Sequence, residues 1–137
     1  IKELYKASSA GVKIDLIVRG VCCLKPQILG VSENIRVVSV VGRFLEHSRV
    51  YYFQNANHPV YCSSADWMER NLSNRIEVSF PILGKKMARR IIEEMETYIS
   101  TKGQSWELQA TGEYRERTYD SKEPDAQNLL LEQLAQT

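Results

Sequence analysis

Two short runs of β-branched and aromatic residues, 50–53 (Val-Tyr-Tyr-Phe) and 60–62 (Val-Tyr-Cys), flank the polar hexapeptide Gln54-Asn55-Ala56-Asn57-His58-Pro59. Such an arrangement closes as a β-hairpin, which fixes the middle of the chain as antiparallel sheet. If the pairing begins early, strand alternation places His47 and Arg49 on one face, an imidazole beside a guanidinium. Ser63, Ser64 and Asp66 follow the second run, where the chain leaves the sheet and where ligand-binding groups commonly sit. A His and an Arg at this spacing alone are most often a surface pair. What favours a chemical role is the order His-x-Arg, strand, loop, strand, Ser-Ser-x-Asp. His58, before Pro59 in the polar loop, reads as an inert surface group.

Around this hairpin, strands alternate with helical patterns. Residues 1–10 carry Leu4, Tyr5 and Ala7 at helical spacing, with Gly11 placed to end a helix. Residues 12–18 are dense in Val, Ile and Leu, as in a strand covered on both faces. Arg19-Gly20 then falls at a strand's carboxyl end, where ligands bind in open α/β sheets, and Gly20 permits close approach to the backbone. Arg19 is therefore a phosphate-binding candidate. Residues 21–34, with Pro26, Gly30, Ser32 and Asn34, form an irregular loop long enough to be a working one. Residues 35–41 make the next strand. Arg36, Arg43 and Arg49 join Arg19 as candidates for a basic pocket, of which one or two are expected to touch a ligand.

Beyond the hairpin, residues 65–74 read as a turn or short helix anchored in the core by Trp67 and Met68, and residues 75–80 as a strand. Residues 85–101 place Met87, Ile91, Met95 and Tyr98 on one face of a helix ending at Gly103. Residues 104–122 are polar and extended. Their interleaved Tyr114, Arg115, Arg117 and Tyr119 could stack on bases, but are assigned to contact with the rest of a parent chain. Residues 123–136 make a final helix, with Pro124 near its start and Ala126, Leu129, Leu130 and Leu134 inward.

At 137 residues the chain can bury a core without staples. Cys22, Cys23 and Cys62 lack metal-ligand spacing, and a reduced cytosolic setting accounts for them. With 18 basic and 17 acidic side chains, there is no overall field to attract nucleic acid or a membrane surface. No apolar run reaches the roughly 20 residues that span a bilayer. The chain opens at Ile1, within a helical pattern, and is expected to be a piece of a longer protein.

The order His47-x-Arg49, then Ser63-Ser64-Ala65-Asp66, resembles the phospholipase D superfamily signature, His-x-Lys, Asp, Gly-Ser-x-Asn. Arg49 stands in place of the Lys, Gln54 in place of the Asp, and Ser63-Ser64-Ala65-Asp66 in place of Gly-Ser-x-Asn. These departures argue against ordinary phosphodiester hydrolysis. One branch is more similar: Val18-Arg19-Gly20, the segments 29–36 and 42–49, and Ser63-Ser64-Ala65-Asp66-Trp67-Met68 resemble the C-terminal domain of bacterial polyphosphate kinase, over roughly the first hundred residues.

The resemblance implies an α/β fold, a single domain with a phospholipase D-like mixed sheet flanked by helices. Residues 1–103 would be the catalytic half, with motifs in 42–72, and 104–137 a polar segment and helix of the same domain. It implies reversible transfer of the ATP terminal phosphoryl group to inorganic polyphosphate through a phosphohistidine in another domain, so that this piece alone is inactive. His47 would be catalytic and, with Arg19, bind ATP; Arg49, Arg43, Ser63 and Ser64 are accessory phosphate candidates. Mg2+ would come with the nucleotide, its ligands lying outside this piece. Expected partners are ATP or ADP, polyphosphate, preceding domains and further copies of the parent, but not nucleic acid. The expected location is cytoplasmic, with peripheral membrane association in the parent. Two other readings stay open: a phospholipase D-like nuclease or phosphodiesterase active as a dimer, and a non-catalytic polyanion-binding module.

Overall fold

The computed structural model describes residues 1–117 and 124–136. Its elements run α1 (Lys2–Ser9), β1 (Ile14–Ile17), β2 (Ile35–Val40), β3 (Val50–Tyr52), β4 (Val60–Ser63), α2 (Glu69–Asn74), β5 (Ser79–Pro81), α3 (Lys85–Ser100), β6 (Ser105–Leu108), β7 (Tyr114–Glu116) and α4 (Ala126–Ala135). Two compact units result, one of Ile1–Leu45 with Thr97–Thr137, the other of Glu46–Glu96.

The first unit is a mixed four-stranded sheet in the order β1-β2-β6-β7, with β1 and β2 parallel and the other pairs antiparallel. Its central strand β2 is the most apolar, and Ile35, Val37, Val38 and Val40 are buried. Leu24, Ile35, Val37 and Leu108 form the core, and Leu4 and Tyr5 of α1 pack on it with Ile14, Leu16 and Val18. The residues expected to be covered on both faces are thus in β2. In β1, an edge strand, Asp15 is exposed and no residue is fully buried. The helix end at Gly11 is as expected, with a left-handed φ of 87°. The 21–34 loop sinks Leu24, Pro26 and Ser32 into the interior, and Ser32 Oγ ties it by donating to Lys25 O (2.7 Å) and accepting from Ile28 N (3.1 Å).

The stretch after 104 is a larger departure. It contains β6 and β7, and β6 pairs directly with the central strand through Ser39↔Trp106. Its polarity misled because half the work is done by backbone pairing and by Ser105, a fully buried residue whose hydroxyl donates to Lys102 O at 2.8 Å. Arg117 is turned into its own unit. It donates to Ile99 O and Thr101 O, both at 2.7 Å, at the C-terminal end of α3 where carbonyls lack helical partners. Burial first, then the Arg36 charge, lower its pKa from the ordinary value. Tyr119, expected in the interleaved segment, and the expected boundary at Lys122 and Glu123 lie outside the described residues. The last helix starts at Ala126, capped by Asp125, which accepts from Asn128 N at 3.0 Å; Ala126 and Leu130 are buried, whereas Leu134 is exposed.

The second unit is a three-stranded antiparallel sheet, β3-β4-β5, whose hairpin pairs Val50↔Cys62 and Tyr52↔Val60. The strand expected over 75–80 is confined to Ser79–Pro81, on an edge, where Pro81 can lack an N–H without breaking a central ladder. Trp67 and Met68 are not core anchors: both are exposed, and Trp67 stacks on Tyr51 at 5.5 Å between ring centroids. Along α3 only Ala88 is buried and Met87 is half-exposed.

Candidate functional site

Strand β3 begins at Val50, so His47 precedes the sheet rather than opening it. The pairing nevertheless begins next to it, since Ser63 N donates to Arg49 O at 2.9 Å. That contact aims the Arg49 side chain back along its own segment. Its Nη1 donates to His47 O and to His47 Nδ1, each at 2.9 Å, with Nε2 farther off at 3.4 Å. On its other side, Nε donates to Asp66 Oδ1 at 2.9 Å, and Nη2 lies 2.8 Å from the same oxygen. The expected imidazole–guanidinium pair therefore exists, and Asp66 completes it. The Arg49 hydrogen bond holds the Asp66 carboxyl below the ordinary carboxylate range, with the Arg49, Arg70 and His47 charges acting in the same direction against partial desolvation.

A guanidinium has donors and no acceptor. Nη1 lies within hydrogen-bond reach of both imidazole nitrogens, so the contact fixes where the ring sits, and either nitrogen can take the acceptor role. His47 itself is exposed.

The two serines are engaged differently from the expectation. Ser63 Oγ donates to Val78 O (3.2 Å) and accepts from Ala65 N (3.1 Å). Ser64 Oγ donates to Glu77 and accepts from Val78 N (3.1 Å). A hydroxyl has one hydrogen to give, and both are given to the protein, fastening the β4 exit to the segment before β5. Glu77 also accepts from Asn71 Nδ2 at 2.7 Å, and the Ser64 and then the Asn71 hydrogen bonds hold its carboxyl below the ordinary range. Asn71 is buried. Neither Asn71 nor Glu77 was singled out in the sequence; a polar residue inside a short helix and an acid between two apolar residues carry no periodic signal.

In the first unit Arg19 is exposed just beyond β1, as expected. With Gly20, Ser39, Val41, Trp106 and Tyr114 it lines a shallow concavity of about 430 Å3. Its turn is held by Ser39 Oγ, which donates to Arg19 O, and by Tyr114 Oη, which donates to Gly20 O, both at 3.3 Å. Burial raises the Tyr114 phenol pKa, with a smaller contribution from Cys22. Tyr114 is thus a prop for the Arg19 turn. Arg36 leaves the basic set, since parallel register sets it beside Asp15, which accepts from its Nε at 2.6 Å. Arg43 is exposed, with its guanidinium 5.3 Å from the Phe44 ring centroid. His58 borders a different concavity, with Pro59, Ile82, Ala88 and Ile92.

Among the described residues no three His, Cys, Asp or Glu side chains gather as a metal would need, and the three cysteines are unpaired. The described residues do not fit a magnesium cage, Asp66 and Glu77 each being held by protein donors. No described helix is long and apolar enough to cross a membrane.

Residues 1–127 match the family model described as polyphosphate kinase C-terminal domain 2. The sequence is 55% identical over 138 residues to a polyphosphate kinase of Pseudomonas aeruginosa PAO1, covering 98% of this chain and 20% of that protein. A polyphosphate kinase of Burkholderia multivorans is 54% identical over 134 residues, covering 96% of this chain and 19% of that one. The fold is similar to part of the crystal structure of polyphosphate kinase from Porphyromonas gingivalis, with a TM-score of 0.88 at 41% identity, covering 98% of this chain and 21% of that one. The likeness therefore extends through the 104–137 region, beyond the first hundred residues that carried it in the sequence. The chain spans about a fifth of the length of the curated relatives it matches.

Proposed function

Because this chain belongs to the polyphosphate kinase C-terminal domain family, we propose that it supplies one part of a site at which its parent reversibly moves the terminal phosphoryl group of ATP onto inorganic polyphosphate. The phospholipase D-like α/β fold, with its mixed sheet flanked by helices, is the frame. In the first half-reaction the bond from the γ phosphorus to the bridging oxygen breaks, its electron pair leaving on ADP, while an imidazole of another domain forms a P–N bond. In the second, a terminal polyphosphate oxygen attacks that phosphorus and the P–N bond breaks. Further copies of the parent are expected in the working assembly.

The observation that carries this reading is an exposed imidazole held in place before any ligand arrives: Arg49 Nη1 lies 2.9 Å from His47 Nδ1 and 3.4 Å from Nε2, and donates to the His47 carbonyl. A donor fixed before the reaction acts on charge as it develops on a phosphoryl or leaving oxygen, without reorganisation in the transition state. In the first unit, taken by itself, Arg19 is a planar fork suited to phosphate oxygens, and Arg43 is a further cation. Magnesium, when it accompanies the nucleotide, supplies charge neutralisation; the residues described here assign it no ligands and the roles above do not depend on it.

The test is steady-state kinetics of the full-length enzyme. Arg19→Ala removes a charge-assisted contact and is expected to reduce kcat/KM for ATP by at least roughly tenfold. His47→Gln should lower kcat more than it raises KM. Unchanged kinetics in both variants would overturn the proposal, and metal-independent cleavage of a phosphodiester would put the phospholipase D-like hydrolase in its place.

A further inference from the structure

By the resemblance of its motif Arg49 would be an accessory phosphate-contacting cation, yet its hydrogens are directed elsewhere. A guanidinium has five N–H donors. Nη1 donates to His47 O and Nδ1, and Nε and Nη2 both engage Asp66 Oδ1, which accounts for all but one hydrogen. Bidentate recognition of a phosphate needs two parallel N–H groups on one edge. The Nε–Nη2 edge is held by the carboxylate, and the Nη1 side is held by His47. The Arg49 side chain is also only 18% exposed, whereas the His47 residue is exposed.

We propose that Arg49 and Asp66 are positioning residues, an ion pair that fixes the placement of the His47 ring and makes no phosphate contact of its own. The chain of contacts gives the reason. Asp66 pins one edge of the guanidinium, so Nη1 is held in place to bind Nδ1. Binding the carbonyl of His47 with the same nitrogen fixes the distance from ring to backbone. Without Asp66 the guanidinium is free to turn outward, and His47 loses its orientation. This inference rests on the reading that His47 takes part in phosphoryl transfer.

Asp66→Ala and the isosteric Asp66→Asn are made in the full-length enzyme, alone and combined with His47→Gln, and assayed with ATP and polyphosphate. In the single variants kcat should fall about 10- to 100-fold, the scale of a misplaced reacting group, with KM for ATP unchanged within about twofold. Asp66→Glu should recover part of the loss. In the His47→Gln background either Asp66 substitution should add less than about twofold, because both act through one imidazole. A fall in KM on removing Asp66, as a freed Arg49 fork would give, overturns the proposal. So does an additive loss in the double variants. If Asp66→Ala does not fold, Asp66→Asn decides alone. Should His47→Gln itself leave kcat unchanged, it is the underlying functional reading that fails, a result distinct from additivity in the double variants.

Discussion

The two units reach order by different physics. In the first, the interior has a large aliphatic core, Leu24, Ile35, Val37, Val38, Val40, Leu108 and Leu130, with the neutral polar Ser8, Ser32, Ser39, Ser105 and Gln127 buried beside it. In the second, buried apolar residues are reduced to Val60, Ala65 and Ala88, and Asn71 is buried with them. What binds the second unit's loops to its strands is polar, namely Asp66 on Arg49 and Glu77 on Ser64 and Asn71. Apolar burial is non-directional and tolerant, whereas hydrogen-bonded ions fix orientation but depend on charge state. A reactive imidazole needs orientation more than bulk stability, and His47 is in the polar unit. Each unit also carries one tryptophan, Trp106 in β6 and Trp67 next to α2, so unfolding of the two is separately readable.

The largest expected effect is on the aliphatic unit. Ile35→Ala removes three carbons from a side chain only 2% exposed and should cost about 2–5 kcal/mol. Urea titrations of this chain carrying Trp67→Phe or Trp106→Phe report the two units in turn. The Trp106 transition should move to lower urea and the Trp67 transition much less. Equal displacement of both would show one cooperative unit and break the comparison.

A smaller loss is expected where the first unit does use a polar clamp. Gln127 in α4 is 3% exposed, and its amide accepts from Phe44 N and donates to Phe44 O, both at 2.8 Å. The clamp closes over Gly42, where a Cβ would collide with Gln127 Oε1 and meet its Cδ at 2.9 Å. Gly42→Ala should therefore displace the amide, leave buried polar groups unpaired and cost about 1–3 kcal/mol, read as a shift in the Trp106 transition. A stability within about 0.5 kcal/mol of wild type would show that Gln127 moves aside freely.

These contrasts show what the sequence could and could not reveal. The hairpin, β2, α3 and the end of α1 were legible because apolar period and glycine punctuation are local properties. The His47–Arg49 contact was legible from spacing, although the reason given, a shared strand face, gave way to a segment folded back before β3. Trp67 was placed in the core because large aromatics usually are, but here it lies over Tyr51 at the surface. β6 escaped notice because its central partner β2 is distant in sequence, Ser39 pairing with Trp106, and pairing with β2 needs no apolar pattern of its own. Asp66 carried a motif position, yet its attachment to Arg49 is tertiary. Glu77 and Asn71 carried none at all, which is why half of the polar network around the candidate site emerges only from the fold.

The smallest effect is one of pH, and it bears on the polar unit alone. Asp66 and Glu77 both have pKa values held below the ordinary carboxylate range, the first chiefly by Arg49 and the second chiefly by Ser64. A carboxyl more acidic folded than unfolded releases its proton more readily in the native state. Its contribution is complete above the unfolded pKa, about 4 for Asp and Glu, and is lost as pH falls through the lower folded value. The window is therefore below about pH 4.5, and acid should weaken the second unit first. Urea titrations from pH 6 down to pH 3 should show the Trp67 midpoint falling faster than that of Trp106, which reports the unit that holds most of the buried aliphatic side chains. Both carboxyls are solvent-accessible, so the displacement should be modest and should shrink in high salt. The combined Asp66→Asn and Glu77→Gln variant should lose most of the excess slope of the Trp67 signal. If that slope survives both substitutions, other titrating groups govern the second unit, and the contrast between an aliphatic core and an ionic clamp must be redrawn.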